Sequence, residues 1–157
     1  MTDDTDRALL TELQRDATQS YATLGATVGL SAGAAHERVR KLRDRGVIRR
    51  TTIEVDPAAV GAGVLAFVLV ESNAWMGEAD TSEALAALPE VQEAHIVAGA
   101  ASVLIKVRTG TTEQLQDVLR RVFAVRGVSG TQTVMVLETM FERSVHCGQK
   151  GPAGAPG

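Results

Sequence analysis

The chain has a single cysteine, Cys147, so neither an internal disulfide nor a cysteine-based metal cluster is available to it. The thiol lies in a polar tail, and a reducing cytoplasm is the compartment that follows. No apolar run approaches the roughly 18 uncharged residues of a membrane span. The first residues, MTDDTDRALL, are acidic, unlike a secretory or transit leader. The expectation is a cytoplasmic protein with no membrane partner. Histidine is scarce: His36, His95 and His146 have no spacing that would gather them on a metal, and His95 in an apolar strand reads as a core or interface residue. No serine nucleophile elbow, phosphate-cradling glycine loop or cysteine pair is present, so neither catalysis nor a cofactor is expected.

Net positive charge is lacking too, the formal charge being −3, yet the basic residues are concentrated. Residues 1–60 balance nine basic against nine acidic side chains, while 61–157 hold seven against ten. Seven of the nine fall within residues 36–50 of GLSAGAAHERVRKLRDRGVIRR. A stripe of that kind on one face is the electrostatic footprint of a nucleic-acid binder.

The surrounding pattern gives the stripe a frame. DDTDRALLTELQRDA places Leu9, Leu10, Leu13 and Ala17 on one helical stripe behind an acidic start. Ser20 can cap a short helix that buries Tyr21, Leu24 and Val28 and stops at Gly29. Ser31 opens a longer helix whose inward residues are Ala35, Val39 and Leu42, ended by Gly46, and VIRRTTIEV then reads as a β wing. Helix, short helix, tight turn, basic helix and wing make a winged helix-turn-helix over residues 1–55, whose last helix enters the major groove. The candidate DNA contacts are Ser31 and Gly33 at the close-approaching helix start, His36, Arg40 and Arg43 opposite the buried stripe, and Arg38, Lys41, Arg45, Arg49 and Arg50 toward flanking phosphates.

DPAAVGAG, residues 56–63, reads as a linker, after which the period changes. VLAFVLVES is a strand; DTSEALAALPE is a helix with Asp80 and Glu83 as a capping box and Leu85 and Leu88 facing in; VQEAHIVAG and SVLIKVRT are strands. TTEQLQDVLRRVFAV is a helix with Leu115, Val118, Leu119, Val122 and Phe123 at offsets zero, three, four, seven and eight, and TQTVMVLETM is the last strand. The order is that of a ferredoxin-like βαββαβ domain over residues 64–143, in an α+β chain. Helices cover only one sheet face, yet Val64, Ala66, Val68 and Val70 are as apolar as Leu65, Phe67 and Leu69. The bare face therefore calls for a second copy of the chain. Trp75 reads either as an interface anchor or as a ligand wall, and the tail over residues 144–157 is expected to be disordered.

VGLSAGAAHERVRKLRDRGVI, together with VQEAHIVAGAASVLIKVRT and VRGVSGTQTVMVLE, resembles the Lrp/AsnC family of feast/famine transcriptional regulators over nearly the whole chain. The resemblance implies double-stranded DNA as partner, a homodimer often assembled into tetramers or octamers, and control by a small molecule, usually an amino acid. It also implies an effector site near the turn between the two middle strands, where the family carries a Gly-Asp-x-Asp-like segment. Here the turn reads GAAS: Gly99 matches, but Ala100 and Ser102 stand at the acidic positions. Gly99, Ala100, Ala101 and Ser102, with Thr131 and Thr133, are the candidate effector residues, and Glu93 or Glu138 are acids that would have to reach in. A carboxylate would pair with an ammonium, whereas a hydroxyl offers only a neutral hydrogen bond, so weak binding of ordinary amino acids is expected. Two other readings stay open: an effector-independent architectural DNA-binding protein, and a tetrapyrrole decarboxylase of the siroheme type, since some relatives of the fold are such enzymes.

Overall fold

The computed structural model describes residues 1–148; most of the segment expected to be disordered, residues 149–157, lies outside the described residues. Two compact units are present, one built on Met1–Ile53 and joined by the chain from Glu142, the other spanning Glu54–Phe141.

The first unit is helical: α1 (Asp4–Arg15), α2 (Tyr21–Val28) and α3 (Ala32–Asp44). Each starts on a side chain that accepts a hydrogen bond from an orphan amide of the first turn: Asp3 from Asp6, Ser20 from Thr23 and Ser31 from Ala34. α2 stops at Gly29, whose φ of 74° suits glycine best. The turn into α3 is tight: the Leu30 amide donates to the Gly25 carbonyl at 2.8 Å. A Cβ on Gly25 would stand 2.6 Å from the Leu30 carbonyl oxygen, so glycine is what lets α2 and α3 meet there. Leu9, Leu24, Ala35, Val39 and Leu42 are fully buried. The expected wing does not form. Residues 47–55 carry no strand, and Ile53 is 81% exposed. A β-rich segment needs a ladder partner, and among the described residues the regular elements of this unit are all helices.

The second unit runs β1 (Val64–Ser72), α4 (Ala79–Ala86), β2 (Val91–Ile96), β3 (Val103–Thr109), α5 (Thr112–Phe123) and β4 (Val128–Met135). The sheet is antiparallel with order β2-β3-β1-β4, the ferredoxin-like arrangement. Ala66, Val68 and Val70 of β1 and Val103, Ile105 and Val107 of β3 form its core with Leu85 of α4 and with Leu115, Val118 and Val122 of α5. Leu65, Phe67 and Leu69 alternate onto the face without helices.

Three details differ from the sequence pattern. α4 begins one residue before Asp80, at Ala79, with Glu78 in the cap position and no side-chain cap bond, so the Asp80–Glu83 box is not made. Phe123, the last residue of α5, is 55% exposed and outside the core. β4 begins at Val128 and ends at Met135, leaving Val136–Met140 outside the strand.

Candidate nucleic-acid interface and effector turn

With Ala35, Val39 and Leu42 turned inward and about 100° per residue, the exposed side chains of α3 fall into three groups. On one flank, His36 and Arg43 lean on Tyr21 of α2. The His36 and Tyr21 rings meet edge to face at 4.7 Å, and Arg43 Nη1 donates to the Tyr21 hydroxyl at 3.3 Å. On the other flank, Arg38 Nη1 donates to Asp3 Oδ2 at 2.7 Å and to Asp6 Oδ1 at 2.8 Å. Outermost are Gly33, Glu37, Arg40 and Asp44. Arg40 donates to both Glu37 oxygens, at 2.7 and 2.9 Å, and to Asp44 Oδ2 at 3.0 Å, while Lys41 Nζ lies 3.7 Å from Glu37. The Arg40 hydrogen bond, helped by the nearby Lys41 charge, holds the Glu37 carboxyl down to about 2.

Arg49 and Arg50 are exposed in the segment after α3, and Ser31 and Gly33 are exposed at its start. No Cβ at Gly33 would meet anything within 4 Å, so the helix start stands open. The sequence pattern divides the basic residues only by helix face. The structure divides them further, because Arg38, Arg40 and Arg45 already have carboxylate partners on their own unit.

The effector candidates gather at one end of the sheet. Gly99, with φ 133°, turns the chain between β2 and β3. The Ser102 amide donates to the Val70 carbonyl at 2.9 Å, and Thr131 pairs with Val70 from the other side, so the turn and Thr131 flank the end of β1. Thr133 is opposite Val68, further down the ladder, and both threonines share the helix-covered face with their partners.

The acids distribute differently from the sequence reading. Glu93 is engaged by Lys106 and His95, each at 3.2 Å, and these hydrogen bonds, His95 first, lower its pKa. Glu138 lies past the far end of β4, near where the Val136 amide bonds the Leu65 carbonyl, away from the turn. The acid that does belong to this end is Glu71, next to Val70. Its carboxylate sits over Gly130, where a Cβ would come within 2.8 Å of Oε2. Only the strand order reveals it, since nothing local marks a glutamate at a strand terminus. Trp75 is 69% exposed and lies over Gly77, where its ring would collide with any Cβ.

A capped basic helix set against a short helix through a glycine turn, followed by a separate βαββαβ unit, defines a helix-turn-helix regulator with a second, regulatory domain. The chain belongs to the Lrp/AsnC family of transcriptional regulators: the AsnC-type helix-turn-helix domain matches residues 3–43, and the Lrp/AsnC ligand binding domain matches residues 65–145. It is 35% identical over 140 residues to the HTH-type transcriptional regulator FL11 of Pyrococcus horikoshii, covering 89% of this chain and 92% of that one. Among solved structures, that of Escherichia coli AsnC superposes with a TM-score of 0.83 at 31% identity, covering 93% of this chain and 99% of the other. The feast or famine regulatory protein of Mycobacterium tuberculosis complexed with L-methionine gives 0.84 at 32% identity, with 92% and 98% covered.

Proposed function

We propose that this regulator binds duplex DNA by laying α3 in the major groove, with Gly33, His36, Arg40 and Arg43 toward the bases and Ser31, Lys41, Arg49 and Arg50 toward phosphates. The observation that carries the reading is α3 itself, a capped helix with an open N-terminus, seated on its neighbour through Gly25. Arg40's carboxylate partners do not bar it from the groove. Exposed ion pairs are worth about 0–1 kcal/mol, whereas a bidentate base contact discriminates by about 1–3 kcal/mol. The test is electrophoretic retardation of the protein's own promoter region at rising KCl. Affinity is expected to fall steeply with salt, and Arg40→Ala to cost about 1–3 kcal/mol. Unchanged operator affinity in that variant would place Arg40 away from the bases.

The active species in this reading is a cytoplasmic, non-enzymatic homodimer, joined through the sheet face that carries Leu65, Phe67 and Leu69 and open to tetramer or octamer assembly. Relatives named as transcriptional regulators support the non-enzymatic role, and no described helix is long and apolar enough to cross a membrane. The effector would be a small metabolite held at Gly99–Ser102 with Thr131 nearby, in line with a relative solved with L-methionine. Its ammonium affinity would be weak, since Ala100 and Ser102 bring no carboxylate and Glu71 alone among the acids considered lies at that end. The absence of loop acids also favours the variant in which the protein regulates without an effector.

A further inference from the structure

Among the described residues Asp6 is the one ionisable side chain in the buried set, at 6% exposure, and the DNA-contact reading gives it no part. It lies in the first turn of α1, yet both its oxygens address α3: Oδ1 accepts from Arg38 at 2.8 Å, and Oδ2 is 3.8 Å from Arg45 Nη1. Asp3 completes the arrangement. Its Oδ1 caps α1 by accepting the Asp6 amide at 2.7 Å, and its Oδ2 takes Arg38 at 2.7 Å. Arg45 Nη2 also donates to the Met1 carbonyl at 2.8 Å. The start of the chain is thus fastened along one flank of the recognition helix.

An arginine in this setting is unlike Arg40. Arg40 exchanges exposed partners for a phosphate or base at little cost. Arg38 would have to abandon a carboxylate whose side chain is 8% exposed, leaving a charge buried without its principal partner. We propose that Asp6, acting through Arg38 and Arg45, is a positioning residue for the recognition helix, and that Arg38 keeps to this carboxylate in the DNA complex rather than contacting a phosphate. This rests on the proposed groove-binding role of α3, and it makes the acidic N-terminal segment a working part of the DNA-binding unit.

The slope of log affinity against log salt counts phosphate contacts, at roughly 0.9 per contact for duplex DNA. The full chain would be titrated by fluorescence anisotropy onto a labelled duplex at several KCl concentrations, with thermal denaturation measured alongside and Arg49→Ala as the comparison for a lost phosphate contact. Arg38→Ala is expected to keep the slope of the unmodified protein while lowering the melting temperature, and Arg38→Lys to recover part of that loss. Asp6→Asn is expected to release Arg38 and steepen the slope by about 0.9. Asp3→Asn, which keeps the helix cap and leaves Arg38 on Asp6, should keep the slope of the unmodified protein and serves if the Asp6 or Arg38 variants do not fold. A slope shallower by about one contact in Arg38→Ala with unchanged melting would overturn the inference, as would an unchanged slope in Asp6→Asn or a slope steepened by Asp3→Asn alone. Failure of the unmodified protein to bind any duplex would overturn the groove-binding reading itself.

Discussion

At the scale of single residues, the outer face of α3 is tuned by acids as much as by bases. Glu37, half-buried and bonded to Arg40, has its carboxyl held down to about 2 from an ordinary 4.5. A depressed carboxyl favours the folded state while it is ionised. That contribution is full above about pH 4.5 and disappears as pH falls through about 2. An NMR titration of the Glu37 carboxyl carbon should find its midpoint near the low value, and Arg40→Ala should return it toward 4.5. A midpoint already near 4.5 in the unmodified protein would mean that the Arg40 pairing does not persist in solution.

At the scale of elements, the turn between α2 and α3 is where the packing is least forgiving. Gly25→Ala gains roughly 1 kcal/mol of helix propensity, but its methyl would press on the Leu30 carbonyl, a backbone atom with no rotamer to yield. Overpacking of this kind costs about 1–3 kcal/mol, so a net loss of stability in urea denaturation is expected, with weaker DNA binding beside it. The same elements show what could be read from sequence. The caps at Ser20 and Ser31 and the inward residues Leu24, Ala35, Val39 and Leu42 were legible because helix caps and stripes are local, fixed by offsets of three, four and seven. The Asp80–Glu83 spacing satisfied the same local rule but failed, since the chain after β1 enters the helix at Ala79. Phe123 matched the apolar offset yet falls on the final residue of α5, where it stays exposed. Alternating residues after α3 suggested a strand, but strand formation is a pairwise property and no partner was at hand. Glu71's proximity to the candidate effector turn, like the capture of Arg38 by Asp6, joins residues far apart in sequence and so lay beyond any local pattern.

At the scale of the whole molecule, the two proposed regulatory features are assembly and ligand binding. Light scattering of the full chain at micromolar concentration should report a dimer or larger species, and Leu69→Glu, a charge on the uncovered sheet face, should shift it toward monomer. A stable monomer of the unmodified chain would remove that interface. A thermal-shift screen of the standard amino acids and their keto-acid relatives should give small responses to the amino acids. Ala100→Asp with Ser102→Asp should enlarge them, because a ligand at a hundred times its dissociation constant stabilises the fold by about 2.7 kcal/mol. Tight binding by the unmodified protein, lost in Glu71→Gln, would show that this one strand-end carboxylate suffices. The strand order β2-β3-β1-β4 carries a consequence for synthesis. β1 is the first strand made and lies at the centre of the sheet, between two strands that follow much later in the chain. At roughly 5–20 residues per second, the ribosome takes several seconds to proceed from Ser72 to Met135. During that interval VLAFVLV is a nascent apolar segment with both edges unpaired, the feature that recruits a holding chaperone. Slowing translation across residues 73–128 should therefore lower the yield of soluble protein.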